Sequence, residues 1–203
     1  MNHLRGTSRQ YWVALRAMLI FTIVLGIIYP LVITAIGLVV PTRANGSLVS
    51  VDGTPVGSSL IGQSFTDRKG NALPQWFQSR PSAAGDGYDG GASGGTNQGT
   101  ESETLAQAIT ERKAAIAKSD GVDPASIPAD ALTASASGLD PHISPAYARQ
   151  QVARVAAARS LSEAQVTKLV DSAVTGRLLG YIGEPTVNVL ELNIALAKLD
   201  QGE

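Results

Sequence analysis

From Ala17 to Val40 the chain reads AMLIFTIVLGIIYPLVITAIGLVV, without a charged side chain. Roughly 24 residues of helix rise about 36 Å, enough to cross a hydrocarbon core of about 30 Å with some tilt. Pro30 sits mid-run, where a membrane helix tolerates a kink. Gly26 and Gly37, on either side of Tyr29-Pro30, offer flat patches for a neighbouring helix, although they are not in GxxxG register. Past residue 40 the pattern breaks. Leu48–Val51 alternates and meets Asp52-Gly53, a hairpin signal, which predicts a return strand within Val56–Phe65 with Pro55 at an edge. From Ala72 to Gly99 no period holds, and so long an irregular stretch is either disordered or a functional loop. Trp76, Phe77 and Tyr88 favour order in parts of it.

The second half reads as helices. Thr100 and Glu103 suggest a capping box, followed by Leu105, Ile109, Arg112 and Ile116 at helical spacing and a stop at Asp120-Gly121. ALTASASG (131–138) reads as a strand or a close-packed loop. Ser144-Pro145 predicts a helix start, with Tyr147, Val152, Val155 and Ala156 inward and an end near Arg159. Ser162 and Gln165 cap a further helix with Val166, Leu169, Val170 and Ala173 as its apolar stripe, and Gly176 is the expected terminator. Asn188 with Glu191 starts a last helix carrying Leu192, Leu196 and Leu199. Helices with a few antiparallel strands predict an α+β domain held by a single N-terminal transmembrane helix.

Composition sharpens this. Only 16% of the 203 residues are charged, against about 25% in an average soluble domain. There is no cysteine, which excludes disulfides, CxxC zinc sites and thiol nucleophiles. No acidic residue precedes Asp52, whereas Arg5, Arg9 and Arg16 lie before the apolar run and only Arg43 follows it closely. Positive charge stays inside, so residues 1–16 are expected in the cytoplasm, 17–40 across the membrane and 41–203 outside. The run exceeds the 7–15 residues of a signal-peptide core, which favours an uncleaved anchor. No basic stripe offers a nucleic-acid surface.

Candidate chemistry is sparse. Ser137, Asp140 and His142 lie together in SGLDPHIS, and a membrane-anchored hydrolase would use them as a triad. Triad members usually converge from different elements, so a turn held by Asp and Ser side chains is the better reading. Only His3 could join His142 in a histidine metal site, and it lies across the membrane. GGASGGTNQGT (90–100) precedes a helix, a place where backbone N–H groups bind phosphate, but it lacks the lysine of a nucleotide-binding loop. Arg80 in WFQSRPS has the fork to clamp a carboxylate or phosphate, or to form an ion pair. Glu184-Pro185 closes a turn before the last helix. No carboxylate pair is set up for acid–base work. A freestanding binding module remains an alternative.

Several segments resemble one family along nearly the whole chain. They are Tyr29-Pro30, LIGQSF at 60–65, WFQSRPSA at 76–83, Tyr88-Asp89, SGGTN at 93–97, TASASGLDPHISPA at 133–146 and GEPTVNVLELNIAL at 183–196. In order and spacing they are similar to the C subunit (KdpC) of the Kdp potassium-transporting ATPases. Gln98-Gly99-Thr100 and Thr186 depart from the pattern.

The resemblance implies an accessory, non-catalytic subunit of a bacterial inner-membrane complex that imports potassium with ATP. Its partners would be a channel-like A subunit, a P-type ATPase B subunit, which uses the ATP and magnesium, and a small F subunit. No cofactor of its own is implied. The family is described as a catalytic chaperone that raises the ATP affinity of the B subunit, and SGGTN resembles the glycine-rich signature invoked for that role. Charge asymmetry instead puts Ser93–Asn97 away from the cytoplasmic ATP pool. The candidate docking or binding residues are Arg80, Tyr88, Asp89, Ser93, Gly94, Gly95, Asn97, Ser137, Asp140, His142, Glu184 and Asn188, with Gly26, Tyr29, Pro30 and Gly37 on the membrane helix.

Overall fold

The apolar N-terminal run is rich in Ile, Val and Thr, which favour helix only modestly; a helix nevertheless satisfies its backbone within the segment, as apolar surroundings require. A computed structural model describes residues 3–200; Met1, Asn2 and Gln201–Glu203, the ends of the expected cytoplasmic segment and outer domain, lie outside the described residues. The chain divides into two units, with the boundary between Ser47 and Leu48.

In the first unit, α1 (His3–Ile23) passes through a π-helical turn (Val24–Ile28) into α2 (Tyr29–Val39). Thr7–Val39 is long and apolar enough to cross a membrane. The helix thus extends well before the uncharged run. The proline's effect is a widened turn: Pro30 has no N–H for the carbonyl of Gly26, and its ring crowds that carbonyl. The Tyr29 N–H reaches back five residues to Val24 O instead, the signature of a π-bulge. Thr34 Oγ1 donates to Pro30 O at 2.8 Å. A short turn, α3 (Pro41–Ala44), follows.

The second unit opens with β1 (Leu48–Val51) and β2 (Thr54–Ser58), an antiparallel hairpin whose Asp52 and Gly53 both take positive φ, 50° and 77°. That geometry matches the right-handed strand twist. The return strand stops at Ser58, short of the expected Phe65. Pro55 is tolerated because both strands of a two-stranded sheet are edges.

α4 (Glu103–Asp120) ends at Gly121, which adopts the left-handed φ of 68° as expected. Its start differs from the sequence reading. Ser102, not Thr100, is the N-cap, with no side-chain cap bond; the Ser102 hydroxyl is turned to Thr104 Oγ1 instead. The ALTASASG run is no strand: Ala131 and Leu132 end α5 (Ala129–Leu132), and the rest is a packed loop. After β3 (His142–Ile143), Ser144 caps α6 (Pro145–Gln150) by accepting from Tyr147 N. α7 (Val152–Arg159) follows, and Ser162 and Gln165 form the expected capping box on α8 (Glu163–Ala173). α8 ends without using Gly176, because Val174 turns extended to begin β4 (Val174–Thr175), which pairs with β5 (Thr186–Asn188). β5 lies between β3 and β4 in a small antiparallel sheet and runs straight into α9 (Val189–Asp200).

The core sits where α6, α7, α8 and α9 meet this sheet. Val155, Val166, Val170, Val187, Leu192 and Leu196 are fully buried. The irregular segment is also drawn in, since Phe77 and Ala84 are fully buried.

Candidate functional site

The SGLDPH corner links α5 to β3. Gly138 takes φ 69°, and a Cβ there would lie 2.7 Å from both Ala84 Cβ and Gly94 O. Only glycine permits that approach of three backbones. Asp140 then closes an Asx turn, its Oδ1 accepting from His142 N at 3.0 Å. Its other oxygen accepts from Arg80 Nη1 at 3.0 Å, and Arg80 Nη2 donates to Thr133 O at 3.5 Å. The His142 ring stands beside the same carboxylate, Nδ1 to Oδ1 3.4 Å, with 42% of its side chain exposed. Hydrogen bonding from His142 and the Arg80 charge hold the Asp140 carboxyl below its ordinary value, against a partial desolvation penalty.

Tyr88 supports the corner from behind. Its hydroxyl donates to Arg80 O at 2.8 Å, and burial pushes its pKa up to about 12. Ser82 is the hub between them: Oγ donates to Gly138 O at 2.6 Å and accepts from Tyr88 N at 2.9 Å. Gly62 N donates to Leu139 O at 2.9 Å, and a side chain at Gly62 would strike the Tyr88 ring.

The glycine-rich loop is used structurally. Ser93 Oγ and Gly94 N both donate to Ser137 O, at 3.0 and 2.9 Å. A Cβ on Gly95 would come 2.7 Å from Ala136 O. Those two donors are spent on the corner. Asn97 is exposed in left-handed backbone, φ 51°. Asp89 is exposed and holds its own turn, accepting from Gly91 N at 2.8 Å.

The triad is not assembled. Asp140 and His142 are adjacent, but the Ser137 hydroxyl faces Ser135 Oγ at 3.2 Å and accepts from Leu139 N at 3.1 Å. Among the described residues no hydrogen bond joins Ser137 to His142. Asn188, paired with His142 across the sheet, caps α9 by accepting from Glu191 N and also donates to Ser59 O at 2.8 Å. Glu184 lies elsewhere, ion-paired with Arg177 in the β4–β5 hairpin. The corner thus gathers Arg80, Tyr88, Ser93–Gly95, Ser137, Asp140, His142 and Asn188. A shallow cleft of about 550 Å³ lies along Leu60, Arg80, Ser135, Ser137, Leu139 and Asp140. An apolar cavity of about 290 Å³ between the β1–β2 hairpin and α9 contains none of the candidate residues.

Sequence reading missed Ser82, and also Gln151, Arg154 and Asn193, which hold the WFQS segment in place. Ser82 was visible within the RPS triplet, but a serine hub has no spacing signature. Buried polar residues on otherwise apolar helix faces, such as Asn193 between Leu192 and Leu196, were the available signal.

Fold and site together define a small α+β domain on one apolar N-terminal helix long enough to span a membrane. The family model described as K+-transporting ATPase, c chain (KdpC), matches residues 11–198. The KdpC subunit of the potassium-transporting ATPase of Kineococcus radiotolerans is 58% identical, over 95% of each chain. That of Gemmatimonas aurantiaca is 55% identical over 87% of this chain and 86% of its own, and that of Caulobacter vibrioides 52% over 97% and 93%. The chain belongs to the KdpC family, the C subunits of K+-transporting ATPases.

Proposed function

We propose that the chain is a non-catalytic accessory subunit of an ATP-driven potassium importer in the inner membrane. Residues 17–40 anchor it, residues 1–16 face the cytoplasm and residues 41–203 face outward. Its partners are the channel-like A subunit, the P-type ATPase B subunit and the small F subunit. Potassium is the cargo of the complex, and ATP and magnesium belong to the B subunit. The Asp140–His142 corner docks on the outer face of the channel-like subunit, supports assembly and raises the B subunit's ATP affinity through it. Such action at a distance requires that the corner contact one state of the transporter better than another.

The supporting observation is the corner itself. It is fixed from three sides, by Arg80, by Ser82 with Tyr88, and by Ser93-Gly94, yet presents the His142 ring half-exposed. A rigid scaffold carrying an exposed polar side chain on a loop suits recognition. The reading of SGGTN as a nucleotide contact is disfavoured by the spent donors and by the charge flanking the anchor.

His142→Ala tests this in the detergent-solubilised chain and in the complex. The variant chain should keep its melting temperature while co-purification of the large subunits, or potassium uptake, falls. A loss of about 1–3 kcal/mol in the chain alone would make His142 a structural residue and remove the docking role. A reporter fused after Glu203 should be active only outside the cytoplasm.

A further inference from the structure

Between β4 and β5 the connecting segment, residues 176–184, is exposed throughout and contributes nothing to the core. Leu178, Leu179, Tyr181 and Ile182 are 67%, 74%, 72% and 47% exposed, within five residues. The other large exposed apolar side chains of this unit, Leu48, Val56 and Leu60, lie on separate elements. Exposed apolar side chains that occur singly need no account, but a cluster at a projecting tip does.

We propose that this tip enters the surface of the lipid bilayer that holds the chain's own anchor; the inference rests on the anchor reading given above. The first argument is the backbone. Leu178 N donates to Ile182 O and Ile182 N to Leu178 O, both at 2.9 Å. Gly180 N donates to Arg177 O at 3.1 Å and Tyr181 N to Leu178 O at 3.3 Å. Most of the tip's donors are therefore satisfied within it, the condition for entering an apolar phase cheaply. Leu179 and Gly180, with φ 54° and 82°, make the reversal that closes these bonds.

The second argument is charge. Residues 178–183 carry none, and the charged pair at the base, Arg177 and Glu184, is neutralised at 2.7 Å. Tyr181 adds an amphipathic ring of the type enriched at the headgroup level. The third is coverage. All four side chains are exposed together on one short two-stranded tip. A fluid phase covers such a tip on all sides, whereas a protein pocket typically complements one face.

The fourth is reach. Only segment 40–47 separates the membrane-length helix from β1. At about 3.5 Å per residue it extends no more than about 30 Å, which caps the distance between the helix end and the domain's first strand. Tethering makes the lipid contact intramolecular, and a small apolar tip then suffices where it would not hold a free protein.

The absence of native cysteine permits a direct test. The full chain would carry a nitroxide label at Tyr181→Cys, Ser172→Cys or Leu25→Cys, in vesicles of phosphatidylethanolamine and phosphatidylglycerol. Relaxation by oxygen, which partitions into lipid, is compared with that by a water-soluble nickel complex. The Tyr181 label should favour oxygen several-fold over the exposed Ser172 label, with melting temperatures matched to the parent chain. If it is as aqueous as the Ser172 label while the Leu25 label reads apolar, the proposal is wrong. If it is aqueous in the chain alone and shielded from both agents only after the other ATPase subunits are added, the tip is a protein contact and the lipid reading falls. An aqueous Leu25 label would remove the anchor reading and this inference with it.

Discussion

The carboxamide of Asn193, in α9, satisfies both backbone groups of Phe77, 116 positions earlier: Phe77 N donates to Asn193 Oδ1 and Asn193 Nδ2 to Phe77 O, each at 2.9 Å. Gln151 does the same for the next residue, its Oε1 accepting from Gln78 N at 2.6 Å and its Nε2 donating to Gln78 O at 3.2 Å. Two side chains therefore stand where a neighbouring strand would be. An extended segment enters the core without joining a sheet, and its buried polar groups remain paired. Because this segment leads directly to Arg80, the clasp also fixes the root of the corner. Asn193→Ala would leave two buried backbone groups unpaired. The solubilised full chain should lose roughly 2–4 kcal/mol in denaturant unfolding. Asn193→Leu should recover none of this, because it restores volume but no partner.

Arg154 organises the same segment from α7. Its Nε donates to Asp120 Oδ1 at 2.7 Å, its Nη1 to Pro74 O and Trp76 O, and its Nη2 to Gln151 Oε1. Both charged side chains are nearly buried, 7% and 3% exposed. Removing one partner of such a pair strands the other. Arg154→Ala should cost about 3–5 kcal/mol, and Arg154→Lys should rescue little, since an ammonium cannot reach three directions with a planar fork. Thermal unfolding of the three chains side by side checks this.

Gly138 joins three backbones, and alanine there combines a left-handed φ with overlap on Ala84 and Gly94. Gly138→Ala is expected to cost roughly 2–5 kcal/mol, from αL strain plus overpacking. Gly99→Ala, with nothing within 4 Å of the added Cβ and no positive φ, is its control and should be near neutral. Proteolysis should locate the difference: the Gly138 variant should be cut more readily near residues 82–95, which the corner holds down.

The helical half was legible because its signals are local. Ser144-Pro145, the Ser162 and Gln165 box, Gly121, and Asn188 with Glu191 act within a few residues of themselves. The stretch 72–99 was not legible, because its order comes from residues far away in sequence: Gln151, Arg154 and Asn193 for its first part, Ser137 and Gly138 for the rest. Thr100 was misjudged as the cap for a related reason: Ser102, two residues on, offers an equivalent hydroxyl, and spacing does not choose between them. Of the site, SGLDPH read correctly as a turn from its own Asp and Ser chemistry. Its closure by Arg80 and Ser82 crosses more than fifty residues and left no pattern in the sequence.

The Arg80–Asp140 pair makes a prediction about pH. The Asp140 carboxyl titrates below its ordinary value because His142 and Arg80 favour its ionised form. A depressed carboxylate contributes stability that is present above its unfolded value, near 3.8, and is lost as pH falls through the lower folded value. Asp140→Asn should therefore be less stable than the parent chain at pH 7. Partial exposure of both side chains, 23% and 31%, limits the difference to about 1–2 kcal/mol. The gap should begin to narrow as pH falls below about 3.8 and close only below the lower folded value, where the parent's own carboxyl is protonated and the two chains present similar neutral groups to Arg80. Urea unfolding of both chains at pH 7 and pH 3 gives the comparison. A gap that does not narrow in acid would mean that asparagine perturbs the turn by shape, and that the ion pair contributes little.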